Sequence, residues 1–233
     1  MKTIFSFLIL LVAVPLCAQT SFARLPADPT EPKTVPGGSD AALHIRKAAS
    51  VIQTDGALDE AAWLNAPVAV DFQKQFPVDS GLADTRTEVR MTFDQHNLYV
   101  GVTCWQARGD YTVQSLKRDF PNGTGDAVNI LLDPTKDGLN GFLFSVSPLN
   151  VQREAWIDNG VTLSFEWDNR WISAVQNHDD RWVAEIAIPF KTLRYNVSEG
   201  ENSWNINFVQ VRLKNWEVST WRPVPRQYAA NNL

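Results

Sequence analysis

Apolar and polar residues alternate with a period of two through most of this chain. Val89, Met91 and Phe93 alternate with Glu88, Arg90 and Thr92; after the polar turn Asp94-Gln95-His96-Asn97, Leu98, Val100, Val102 and Cys104 alternate with Tyr99, Gly101, Thr103 and Trp105. Two such runs across a short turn predict a hairpin with one face in a core. The same signal predicts strands over 126–133 (Val128, Ile130 and Leu132 on one face), 141–148 (Phe142, Phe144, Val146) and 151–157. It recurs over 181–189 (Trp182, Ala184, Ile186, Ile188) and 204–213 (Trp204, Ile206, Phe208). Short strands broken by Asp, Asn, Gly and Pro predict an all-β fold, an antiparallel two-sheet β-sandwich of jelly-roll-like form. One helical turn interrupts the pattern at 59–66, with Asp59 placed to cap it and Leu58 and Trp63 placed as a hydrophobic staple.

The N-terminus has a different character. Lys2, an apolar run from Ile4 to Leu16 and small residues at Ser21 and Ala23 predict a secretory signal peptide over residues 1–23. Cleavage after Ala18 and lipidation at Cys17 fit less well, because Leu16 stands where a small residue belongs. Pro26, Pro29, Pro32, Pro36 and Gly37-Gly38 predict an extended, unpacked tether over 24–41, which places the folded domain at 42–233. The chain is expected to work outside the cytoplasm: in a periplasm, on a cell surface or secreted.

Composition narrows the function. A net charge of −5 without a basic run argues against nucleic acid and against an anionic membrane surface as partners. Past the leader no apolar run is long enough for a transmembrane helix, and three scattered histidines argue against a His-rich metal site. Past the leader only Cys104 remains as a thiol, which reads as a small buried hydrophobe. No G-x-S-x-G or H-E-x-x-H motif is present, and nothing in the sequence pairs Glu154, Asp158, Glu166 or Glu185 as a glycosidase needs, so no catalytic residue is assigned.

Seven pieces in order carry a resemblance: D-G-A-L-D-E-A-A-W (55–63), T-E-V-R-M-T-F-D-Q-H-N-L-Y-V-G-V (87–102), R-D (118–119), D-A-V-N-I-L-L-D (126–133), D-G-L-N-G-F-L-F-S-V (137–146), W-V-A-E-I-A-I-P-F-K-T-L-R-Y (182–195) and W-N-I-N-F (204–208). Together they resemble the carbohydrate-binding module family 9 fold. The version most similar is found at the N-terminus of bacterial envelope proteins whose remainder is expected to be an outer-membrane β-barrel. The resemblance implies non-catalytic binding of a glycan or polysaccharide, in association with carbohydrate breakdown, with the barrel or another envelope protein as a further partner. It also implies positions for the ligand site. The places of the family's first tryptophan, glutamate, arginine and second tryptophan hold Gly123, Asn129, Ser145 and Trp221. Asn129 and Ser145 keep hydrogen-bonding capacity without charge, and only Trp221 keeps the aromatic ring.

Pyranose faces stack on indoles while their hydroxyls need polar neighbours, so the nine tryptophans supply further candidates. Trp63, Trp182 and Trp204 fall on core phase; Trp105, Trp156, Trp171 and Trp221 are the candidates for ligand contact. The oxygen-rich stretch 133–141 admits two readings. One is a calcium loop with Asp133, Asp137 and Asn140 as ligands, as related modules often bind calcium; the other is ordinary hairpin turns. Residues 221–228 read as the approach to a last strand, with the chain ending near where it would begin; this predicts an open sheet edge and a module of a longer envelope protein. A structural or interaction module that has lost the sugar site is the alternative reading.

Overall fold

The alternating runs form two sheets stacked face to face. The computed structural model describes residues 33–121, 123–195 and 201–232, so the leader and the first part of the proline-rich segment lie outside the described residues. In chain order the elements are β1 (Thr34–Pro36), α1 (Ala61–Leu64), β2 (Val68–Val70), β3 (Gln73–Phe76), β4 (Thr87–Phe93), β5 (Asn97–Cys104), β6 (Ala127–Asp133) and β7 (Gly141–Val146). They continue with β8 (Gln152–Asp158), β9 (Thr162–Ser164), β10 (Ile172–Asn177), β11 (Trp182–Pro189), β12 (Asn205–Arg212) and β13 (Glu217–Thr220). One sheet has six strands in the order β1-β2-β4-β5-β11-β10; the other has seven, β3-β13-β12-β6-β7-β8-β9. All pairings are antiparallel except β1 with β2.

The predicted phases meet between the sheets. Val89, Met91, Val100, Val102, Trp182 and Ile186 from one sheet pack against Val128, Ile130, Phe142, Phe144 and Phe208 from the other. Cys104 is buried in this layer, and burial pushes its thiol up to about 12.

Two expectations need correction. The proline-rich segment is not unpacked throughout: Thr34–Pro36 pairs in parallel with Val68–Val70. Gly37 then passes so close to Trp221 and Asp71 that a Cβ would lie 2.4 Å and 2.6 Å from their carbonyl oxygens. Extended proline backbone suits an edge strand as well as a linker. Helix α1 is one turn, and Asp59 does not cap it. Its N-cap is Glu60, whose side chain caps nothing in the helix and instead accepts the Gln53 N–H, and Ser50 Oγ accepts the Ala62 N–H. Residues 221–228 lead into no further strand among the described residues; β13 is the last.

The motif at 55–63 plugs onto the outer face of the six-stranded sheet. Leu58 and Trp63 lie over Gly101, where an added Cβ would meet Leu58 at 2.6 Å. Glu185, on β11, holds the plug: its carboxylate accepts the Asp55 N–H at 2.9 Å, the Gly56 N–H at 3.2 Å and the Trp63 indole N–H at 3.0 Å. Burial is the larger influence on this carboxyl and raises it to about 6, from 4.5. The folded protein therefore holds the proton more tightly than the unfolded chain does. Glu185's contribution to stability is full below about pH 4.5 and falls as pH rises through about 6. Urea midpoints across this window should show that decline in the wild type relative to Glu185→Gln; parallel curves for the two would contradict it.

Candidate functional site

The outer face of the seven-stranded sheet carries a polar row. Strand pairing sets Thr220, Val209, Asn129, Ser145 and Arg153 side by side across β13, β12, β6, β7 and β8. Asn129 and Ser145, named from the sequence, are thus neighbours, but they are 1% and 0% exposed. The last described residues cover this face. Asn231 Oδ1 accepts the Asn129 Nδ2–H at 3.1 Å, and Ala230 packs on the apolar cluster of Leu131, Leu143 and Val209. Beneath this cover Asn129 Oδ1, Ser145 Oγ and Thr220 Oγ1 have no hydrogen-bond partner. A buried polar atom in that state costs on the order of 1–3 kcal/mol.

Beside the row opens a cleft of about 670 Å³. Leu131, Ile206, Pro223 and Pro225 supply its apolar lining, and Tyr228 stands at its edge, 52% exposed. Lys136, Asp137, Asn205 and Asn207 supply polar groups. Asn207 fixes one wall: its Nδ2–H donates to the Arg222 carbonyl at 3.0 Å, and its Oδ1 accepts the Arg222 N–H at 2.8 Å. Asn205 donates to Asp133 at 3.0 Å. The sequence reading passed over Asn205 and Asn207, although they are the outward phase of W-N-I-N-F. That alternation was a usable signal; Tyr228 had none, because its place depends on how the chain folds back after β13.

Most of the candidate tryptophans are core. Trp221 is 0% exposed, its ring 5.5 Å from that of Phe208 and its indole N–H donating to the Val35 carbonyl at 3.2 Å. Trp171 is buried against Phe144, and its N–H donates to Glu154 at 3.1 Å. Trp156 is half-buried, edge-on to Phe142. The expectation of ligand contact does not fit Trp171 and Trp221, whose rings are buried in the core, while Trp156 packs against that core with part of its surface exposed. Gly123, at the place of the family's first tryptophan, sits at φ 73° with open space around it. Trp105 lines a second cavity, on the outer face of the opposite sheet.

The oxygens of the 133–141 loop do not converge on a cation. Asp133 accepts the N–H groups of Lys136 and Gly138 and the amide of Asn205. Asp137 accepts the N–H groups of Leu139 and Asn140, which hold its carboxyl down at about 2. These are turn-capping bonds, and the calcium reading of Asp133, Asp137 and Asn140 does not fit them. Among the described residues no group of three or more His, Cys, Asp or Glu side chains is placed to hold a metal.

The fold is a two-sheet sandwich with a plugged outer face and a mixed polar and apolar cleft. The chain belongs to the carbohydrate family 9 binding domain-like family, whose model matches residues 54–210. No curated protein sequence matches it. Among solved structures it is similar to a family 9 module from Caldicellulosiruptor kristjanssonii in complex with cellotriose, at 15% identity and a TM-score of 0.52, over 76% of this chain and 81% of that one. The glucose complex of a family 9 module from that organism gives 14% and 0.50, over 76% and 84%. A carbohydrate-binding candidate from Bacteroides uniformis gives 9% and 0.58, over 83% and 94%.

Proposed function

We propose that this chain is a non-catalytic module that binds a neutral oligosaccharide in the cleft on the seven-stranded sheet. The observation that carries the reading is the cleft itself. Its volume of about 670 Å³ falls in the range of roughly 300–1,000 Å³ usual for small-ligand sites. It joins proline surface and an exposed tyrosine ring to amide, ammonium and carboxylate groups, the mixture a sugar's C–H face and hydroxyl rim require. The cellotriose and glucose held by the Caldicellulosiruptor modules suggest a gluco-oligosaccharide. The leader-like residues 1–23 support work outside the cytoplasm, in the service of carbohydrate breakdown at a bacterial envelope.

Calorimetric titration with cellotriose tests this. The wild type should bind, and Tyr228→Ala should weaken binding about three- to tenfold, the loss of one ring contact of about 0.5–1.5 kcal/mol. Unchanged affinity in Tyr228→Ala would remove the cleft from the site. A second reading, an interaction module of an envelope protein such as a β-barrel, is favoured by the cover over Asn129 and Ser145. A folded protein that gives no heat with any glycan of a broad panel would select that reading.

A further inference from the structure

The outer face of the six-stranded sheet is only half covered by the 55–63 plug. The cross-strand row Ala174, Glu185, Gly101 and Arg90 runs toward the plug, through the Glu185 carboxylate and the Leu58 contact over Gly101. The next row, Gln176, Val183, Thr103 and Glu88, forms the floor of a groove of about 440 Å³. Leu58 and Leu64 of the plug make one wall; Trp105, His178 and Arg181 make the other. Trp105 is the only partly exposed tryptophan lining either cavity, since Trp63 is 1% exposed. The guanidinium of Arg86 lies 4.2 Å from its ring centroid and fixes the indole in place. Glu88 is bridged by Arg86 at 2.5 Å and Arg90 at 3.2 Å, and Arg181 pairs with Asp180 at 2.9 Å.

We infer that this groove is a second saccharide-binding site, built on Trp105 with Glu88 and Arg90 as its hydroxyl-binding pair. The ring supplies an apolar surface for a pyranose face, and an oriented carboxylate beside a guanidinium offers acceptor and donor to adjacent hydroxyls. The guanidinium groups of Arg90 and Arg181 in the groove are already paired with Glu88 and Asp180, so it suits a neutral sugar better than an acidic one. The inference stands on residues separate from the first cleft, though it shares the premise that the module binds neutral glycan. The two sites face away from each other across the sandwich. A module so built bridges two glycan chains rather than gripping one, and gains avidity on a dense polysaccharide surface.

Titration of the full chain with cellotriose, followed by calorimetry and tryptophan fluorescence, tests the second site. Two sites per molecule are expected. Trp105→Ala should abolish the fluorescence response and leave one site, and Glu88→Gln should weaken that site about tenfold without removing the indole. If Trp105→Ala fails to fold, Glu88→Gln and Arg90→Lys decide the matter alone. A single site that is weakened by Tyr228→Ala and unmoved by Trp105→Ala and Glu88→Gln overturns this inference and leaves the first cleft standing. A single site lost in Trp105→Ala and unmoved by Tyr228→Ala supports the inference and overturns the first cleft. Absence of binding by a folded protein overturns both.

Discussion

Trp221→Ala should destabilise the fold by about 3–5 kcal/mol, the range for truncating a fully buried large aromatic residue. The resemblance gave this residue a ligand role, and its position gives it a structural one. Its ring fills the core beside Phe208, and its indole N–H ties the last part of the sandwich to β1 through Val35. Loss of both should lower the melting temperature on the order of 10 °C for a domain of this size. Trp221→Phe should recover part of it, because it keeps one aromatic ring beside Phe208 while losing the hydrogen bond and the rest of the indole volume. Chemical melts of the three proteins check the order. A Trp221→Ala variant as stable as the wild type, with weakened glycan binding, would restore the ligand role and contradict the packing.

Glu154→Ala should rank beside it. This carboxylate is 1% exposed, pairs with Arg118, and accepts the Asn169 N–H at 3.2 Å and the Trp171 indole N–H at 3.1 Å. Arg118 also donates to Gln152 at 2.5 Å and to the Asn169 carbonyl at 2.8 Å. Removing the acid strands the buried Trp171 indole N–H and the half-buried Asn169 N–H and leaves a guanidinium that reaches solvent, a loss of about 2–4 kcal/mol. Arg118→Ala should cost less, because the arginine side chain is 39% exposed and Glu154 keeps two donors. The double variant should be more stable than the sum of the single losses, since the partners share one network. Additive losses in a double-mutant cycle would show that the pair does not act as a unit.

These two residues illustrate what was legible in the sequence. The period-two runs placed seven long strands and their buried faces, because alternation and burial are two views of one geometry. The short strands β2, β3, β9 and β13 were missed, since three or four residues carry too little periodicity; β1 was hidden by its prolines, and β10 by a run with no fully buried face. The 55–63 motif was legible as a helical turn, but the anchor that holds it on the sheet, Glu185, stands 122 residues from Trp63, a separation that no local pattern reports. Site residues fared worse for the same reason. Asn129 and Ser145 are cross-strand neighbours, yet the segment that covers them arrives from the far end of the chain. Which tryptophans face solvent depends on ring packing between strands distant in sequence, so Trp105 could not be separated from Trp156, Trp171 and Trp221 by phase alone.

The central claim is that the module binds saccharide on its outer faces and leaves its buried rings uninvolved. Amide and indole proton–nitrogen correlation spectra, recorded while cellotriose is added, test it most directly. The account predicts shifts for backbone amides around Asn207 and Tyr228 and for the Trp105 indole, with the Trp63, Trp182 and Trp221 indoles unmoved. Spectra that stay fixed through a broad glycan panel, from a protein that melts cooperatively, would contradict it.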